Sequence, residues 1–245
     1  MRLGIISDIH GNVEALQQVL DKLSDVDRMI CPGDIVGYGP DPRKCCDAVR
    51  ALDCTTVLGN HDAAVAERME LAWFNPHARK AVLWTRDALD DDSIDHLKSL
   101  PLTYSSDEFI LVHGSLKNPL DFAYVSSPSA ARQCFEEMND HTVCFIGHSH
   151  LAEVYAQNIG GFGADRFEFT YGGKLDLKPG FRYIVNCGSV GQPRDGHKHA
   201  SFGIYDSDAN TVEISRVPYD IGAVQSKMRA AQLPRFLIER LEYGE

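Results

Sequence analysis

The chain has 245 residues, enough for one domain with a substantial core and marginal for two. With 44% hydrophobic and 24% charged residues it is no disordered or fibrous chain, and a formal net charge of −11 argues against a basic surface for duplex nucleic acid. Acidity still permits a phosphorylated substrate, because bound divalent cations reverse the local field of a site.

The apolar stretch at the N-terminus breaks at Asp8, too soon for a signal peptide, and no run reaches the length of a membrane span. A soluble, cytoplasmic protein with no membrane partner is expected. The seven cysteines include no Cys-x-x-Cys pair, so reduced structural thiols are expected rather than a disulfide framework or a thiolate zinc site.

Residues 2–7 read as a buried strand ending in Asp8-Ile9-His10-Gly11-Asn12. Val13, Leu16, Val19, Leu20 and Leu23 then recur at helical spacing, with Asn12 placed as the N-cap. Residues 28–31 read as a strand running into Pro32-Gly33-Asp34, followed by a helix over 42–51 with Pro42 in its first turn. A third strand, 54–58, ends in Gly59-Asn60-His61-Asp62. This alternation predicts an α/β fold with parallel strands and polar residues at their C-terminal ends.

Residues 63–100 lack strand signals. Ala81, Trp84, Thr85 and Ala88 suggest one helix, and Ile94, Leu97 and Leu100 another. The stretch reads as a helical insert beside the site, too small for a core of its own, inside a single domain spanning 1–245. Trp73, Phe74 and Trp84 are assigned to the core rather than to a substrate platform. Strands resume at 108–112, ending in His113, and at 142–146, ending in Gly147-His148-Ser149-His150, with a helix over 128–138 between them. Short segments at 152–157, 165–171, 181–186, 201–206 and 211–216 predict a second, mostly antiparallel sheet, and helices follow near 220–231 and 234–241.

Five strand ends carry Asp8 and His10, Asp34, Asn60, His113, and His148 with His150. If the strands share a sheet, these groups converge. Two carboxylates, four imidazoles and one amide suit divalent Mn, Fe, Zn, Co or Ni, and seven ligands suit two ions sharing a carboxylate. Asp34, alone on the middle strand, is the natural bridge. Of the remaining candidates, Asn12 and Arg194 are assigned to substrate phosphate, each with a structural alternative, as N-cap and as loop arginine. Tyr38 sits where it lines the entrance or packs a turn, and His197 and His199 read as surface residues.

Asp-x-His, Gly-Asp, Gly-Asn-His-Asp, His and Gly-His-x-His occur here in the order of the calcineurin-like metallophosphoesterases, which the chain resembles from Asp8 to His150. The run Asn186-Cys187-Gly188-Ser189-Val190-Gly191-Gln192-Pro193-Arg194 looks like the Gly-Ser-Val loop of the small bacterial YfcE-like branch. The resemblance implies a four-layer α/β/β/α sandwich of two mixed sheets flanked by helices. It implies one ion on Asp8, His10 and His150, a second on Asn60, His113 and His148, and Asp34 between them. It further implies hydrolysis of a phosphomonoester or phosphodiester by a hydroxide shared between the ions. The substrate would be a small phosphorylated molecule or a phosphoprotein. His61 would stand over the site as proton donor, with Asp62 orienting it or else capping a helix. The alternative is a non-catalytic interaction scaffold of the same fold, against which the complete ligand set and His61 both speak.

Overall fold

A computed structural model describes residues 1–245. Strands β1 (Arg2–Ile5), β2 (Arg28–Cys31) and β3 (Thr55–Thr56) pair in parallel, linked by α1 (Val13–Lys22) and α2 (Pro42–Ala51). The linking helices follow from local sequence. The Asn12 side chain accepts from the Ala15 amide at the start of α1, whose buried face is Ala15, Leu16 and Val19. Pro42 opens α2, which buries Cys45, Cys46 and Val49.

Next come α3 (Asn60–Val65), α4 (Pro76–Ala88) and α5 (Asp91–Ser99), with a 3-10 turn over Leu71–Trp73 between the first two. Asn75 and Asp90 accept backbone N–H bonds as N-caps of α4 and α5. Val82, Leu97 and Leu100 pack in one cluster with Leu16 and Val49. Ala78 and Ala81 pack instead with Val224, Met228 and Leu237 of the C-terminal helices α7 (Ile221–Ala230) and α8 (Arg235–Glu239).

Nine more strands follow: β4 (Thr103–Ser105), β5 (Ile110–Val112), β6 (Val143–Ile146), β7 (Ala152–Asn158), β8 (Asp165–Glu168), β9 (Gly173–Asp176), β10 (Phe181–Cys187), β11 (Ala200–Asp206) and β12 (Thr211–Val217). They complete two six-stranded sheets, ordered β3-β2-β1-β11-β12-β9 and β4-β5-β6-β10-β7-β8. Leu3, Ile5, Phe109, Phe145, Val185 and Val212 meet between the sheets. Helix α6 (Pro128–Phe135) covers the outer face of the second sheet through Ala131, Cys134 and Phe135. Both sheets are mixed and flanked by helices, as the α/β/β/α sandwich requires.

Three expectations change. The strands beyond residue 152 do not form a sheet of their own: β7, β8 and β10 join β4–β6, while β9, β11 and β12 join β1–β3. Alternating polarity marks the faces of a strand but not its partner. The expected 165–171 strand also stops at Glu168, because Gly172 and Gly173 turn the chain at φ of 82° and 151° into β9 on the other sheet. The five ligand-bearing strand ends therefore come from two sheets, not one. The short edge strand β4, with two of its three residues exposed, has too little pattern to show in the sequence.

Candidate metal centre

The ends of β1, β2, β3, β5 and β6 meet at one rim of the sandwich. Asp8, His10, Asp34, His148 and His150 all take left-handed backbone conformations, at φ between 49° and 68°. Each such non-glycine residue costs about 1–3 kcal/mol and persists only where its surroundings hold it. Here backbone bonds do so: the Asp8 amide donates to Gly33 O at 3.0 Å, His10 to Asp34 O at 3.0 Å and Gly147 to His113 O at 2.9 Å.

The side chains converge in two groups. In the first, His10 Nε2 lies 3.0 Å from His150 Nε2 and His150 Nε2 lies 3.2 Å from Asp8 Oδ1. In the second, His113 Nε2 lies 3.1 Å from Asn60 Oδ1 and 3.2 Å from His148 Nδ1. Asp34 Oδ2 touches both, 3.6 Å from His10 Nε2 and 3.4 Å from His113 Nε2. All are buried except Asn60, which is half-buried.

Ring orientation is fixed from behind. Nδ1 of His10, His113 and His150 bonds to the carbonyls of Val36, Pro32 and Gln192 at 3.0, 2.8 and 2.5 Å. A carbonyl only accepts, so Nδ1 of each carries a hydrogen and Nε2 is turned to the centre, where a bound ion would take its lone pair. Burial drives His10 and His148 well below the usual imidazole range, and lowers His150. Burial opposes ionisation of Asp8 and Asp34, but His150 beside Asp8 and His113 beside Asp34 hold both carboxyls below their ordinary range. His113 alone is pushed up, to about 9: burial works against its charge, and Asp34 and then Asp8 overcome it. Two buried carboxylates facing imidazole nitrogens form a donor set that divalent cations neutralise, so these residues fit the implied ions.

A loop missed as a support holds the floor together. Asn186 Nδ2 donates to Gly147 O at 2.7 Å and Ser149 Oγ at 2.9 Å, bracketing His148 and His150. Ser189 Oγ donates to Asp8 O at 2.7 Å, and the Val190 amide to Ser7 O at 2.9 Å. The Gly-Ser-Val run was the available signal: small residues that let one backbone lie against another.

His61 lines the cavity above this floor, packed against Tyr38 at 4.3 Å and Phe74 at 5.0 Å between ring centroids. Its Nδ1 is buried without a partner and faces Gly37, where a Cβ would come within 2.4 Å. Asp62 does not reach the ring. Its Oδ1 accepts from the Val36 amide at 3.1 Å and its Oδ2 from the Gly59 amide at 3.2 Å, so it caps α3 and pins the loop after Asp34. Burial, then the charge of Asp34, pushes Asp62 up to about 7, while burial takes His61 down to about 4. The expected orienting of His61 by Asp62 is replaced by aromatic packing.

Asn12 is likewise occupied: its Oδ1 caps α1 and its Nδ2 donates to Gly191 O at 3.0 Å, away from the main cavity. Arg194 does face the cavity, its guanidinium 5.6 Å from the Tyr38 ring centroid and bonded to Gln192 Oε1 at 2.9 Å. Tyr38 lines the cavity too, whereas His197 and His199 lie outside it, edge to face with each other. The cavity measures about 830 Å³. Trp73, assigned to a core, is 80% exposed and lines it, as do half-buried Phe74 and exposed Leu120 and Tyr124. No helix is long and apolar enough to cross a membrane.

Residues 1–210 match the sequence model of the calcineurin-like phosphoesterase superfamily domain. An uncharacterized protein of Methanocaldococcus jannaschii is 36% identical over 99% of this chain and 98% of its own. The crystal structure of a metallophosphoesterase from Sphaerobacter thermophilus superposes with a TM-score of 0.88 at 39% identity, covering 100% of this chain and 99% of that one. A symmetrical bis(5'-nucleosyl)-tetraphosphatase of Erwinia tasmaniensis is 28% identical over 66% of this chain and 62% of its own length. Together with the buried Asp and His cluster, these matches show that the chain belongs to the calcineurin-like phosphoesterase superfamily.

Proposed function

We propose that the chain is a binuclear metal-dependent phosphoesterase that hydrolyses a small phosphomonoester or phosphodiester. The observation that carries this is Asp34, whose Oδ2 lies within 3.6 Å of an imidazole nitrogen in each ligand group. Asp8, His10 and His150 would hold one ion, Asn60, His113 and His148 the other, with Asp34 shared. Bound there, two divalent ions lower the pKa of a water and neutralise charge developing on the phosphoryl oxygens.

The remaining work falls to side chains. In-line hydrolysis forms a bond from water oxygen to phosphorus, breaks the bond to the leaving oxygen, and needs a proton on that oxygen. His61 supplies it. With Nδ1 unpartnered, the tautomer that leaves an acceptor bare is less costly than one that strands a donor, so the hydrogen sits on Nε2. Arg194, braced by Gln192, offers its fork to a phosphoryl oxygen. The whole chain acts as one unit, since the insert packs into shared clusters, and its free, mostly buried thiols suit a reducing cytoplasm.

The test pairs elemental analysis with hydrolysis of p-nitrophenyl phosphate and bis(p-nitrophenyl) phosphate. Two bound ions per chain and manganese-stimulated turnover of one ester, abolished by chelation, are expected. Metal-loaded protein that cleaves neither ester overturns the reading.

A further inference from the structure

The cavity extends well past the ligands, and its walls have their own chemistry. Trp73 is 80% exposed, Leu120 63% and Tyr124 54%, all beside a centre whose carboxylates and imidazoles are buried. They arise from two separate segments, the turn before α4 and the 3-10 turn Pro119–Asp121 after β5. The second turn is held in place by Asn118 and Phe122 in left-handed conformations. The Tyr124 ring lies flat on His148 at 3.8 Å, so an aromatic surface continues from a ligand toward the mouth. Exposed aromatics of this kind next to a polar centre mark a ligand surface.

Charge narrows the ligand. Arg194 is the one cation among the lining residues, whereas Glu70 and Asp121 add carboxylates away from the ligand groups. A chain of further phosphates running along the wall would meet those carboxylates. A neutral flat ring carrying amine donors would stack on the aromatics and donate to them.

From this juxtaposition we propose that the substrate is a nucleoside ester of a single phosphoryl group, its base seated against Trp73 and Tyr124. The proposal rests on the phosphoesterase reading and adds the part of the substrate that is not phosphate. Base stacking on an aromatic contributes about 1–3 kcal/mol per base, so a preference of about tenfold follows.

Two matched pairs test it in the manganese-loaded protein. These are adenosine 5'-monophosphate against glycerol 3-phosphate, and adenosine 3',5'-cyclic monophosphate against glycerophosphoethanolamine. For the pair that is turned over, kcat/KM favours the adenosine ester about tenfold or more, and Trp73→Ala brings that ratio toward one, mainly through KM. Independently of turnover, adenosine 5'-monophosphate quenches tryptophan fluorescence saturably, inorganic phosphate does not, and Trp73→Ala loses the effect. Equal kcat/KM within the pair, a preference that survives Trp73→Ala, absent quenching, or faster turnover of diadenosine tetraphosphate than of either adenosine ester overturns the proposal. Quenching without hydrolysis of any ester overturns the phosphoesterase reading and leaves the base site standing.

Discussion

On the floor of the cavity six of the seven ligand-type side chains are buried, five sit in left-handed backbone, and each ring is tied to a carbonyl or an aromatic neighbour. On the wall, Trp73, Leu120 and Tyr124 stand mostly exposed on short 3-10 turns and loops. The floor stores strain that the sheets offset, and on the wall strain is confined to Asn118 and Phe122, which flank the second turn. The strand ends thus hold the ligand-type groups, and the exposed wall is where we place selectivity.

Substitutions probe that contrast in descending order of effect. Asp34→Asn removes the shared carboxylate, so elemental analysis should find both ions depleted and hydrolysis at background. His61→Ala should keep both ions and lower kcat by about 10²–10³-fold, the range for a hydrogen-bond donor to developing charge. Release of metal by His61→Ala would move that residue from above the floor into it. Asn186→Ala strips support from the loop bearing His148 and His150, and metal affinity should fall about 10–100-fold. Buried groups left unpaired there should also lower stability by about 1–3 kcal/mol in urea unfolding. On the wall, Trp73→Ala should shift stability by no more than about 0.5 kcal/mol, because an exposed side chain packs little. A larger loss would mean that the wall is part of the core after all.

The same contrast governs what could be read in advance. The ligand set is legible because each strand end announces itself by donor chemistry, and the helices by caps and spacing. Strand partnership is not, since β7 and β11 carry equally plausible patterns yet join different sheets. Asp62 and Asn12 are each open to two readings in the sequence, because a short polar side chain beside a helix start suits a cap and a site alike, and only the placed backbone decides. Trp73 misleads because apolar identity says nothing about side. It sits in a three-residue turn with no periodicity to assign it inward.

Strand β1 lies between β2 and β11, with Ile5 opposite Gly203 in register and the Met1 amino group held at 2.8 Å by Asp208. The first of the twelve strands is therefore sealed by the eleventh. At about 5–20 residues/s, roughly 10–40 s of synthesis separates the two, and through that interval one edge of β1 stays unpaired. Asp8 and His10 hang from that strand, and the loop that braces Asp8 is made only just before β11. The candidate site is therefore braced only once the segment from Asn186 to Val190 and then β11 have been made.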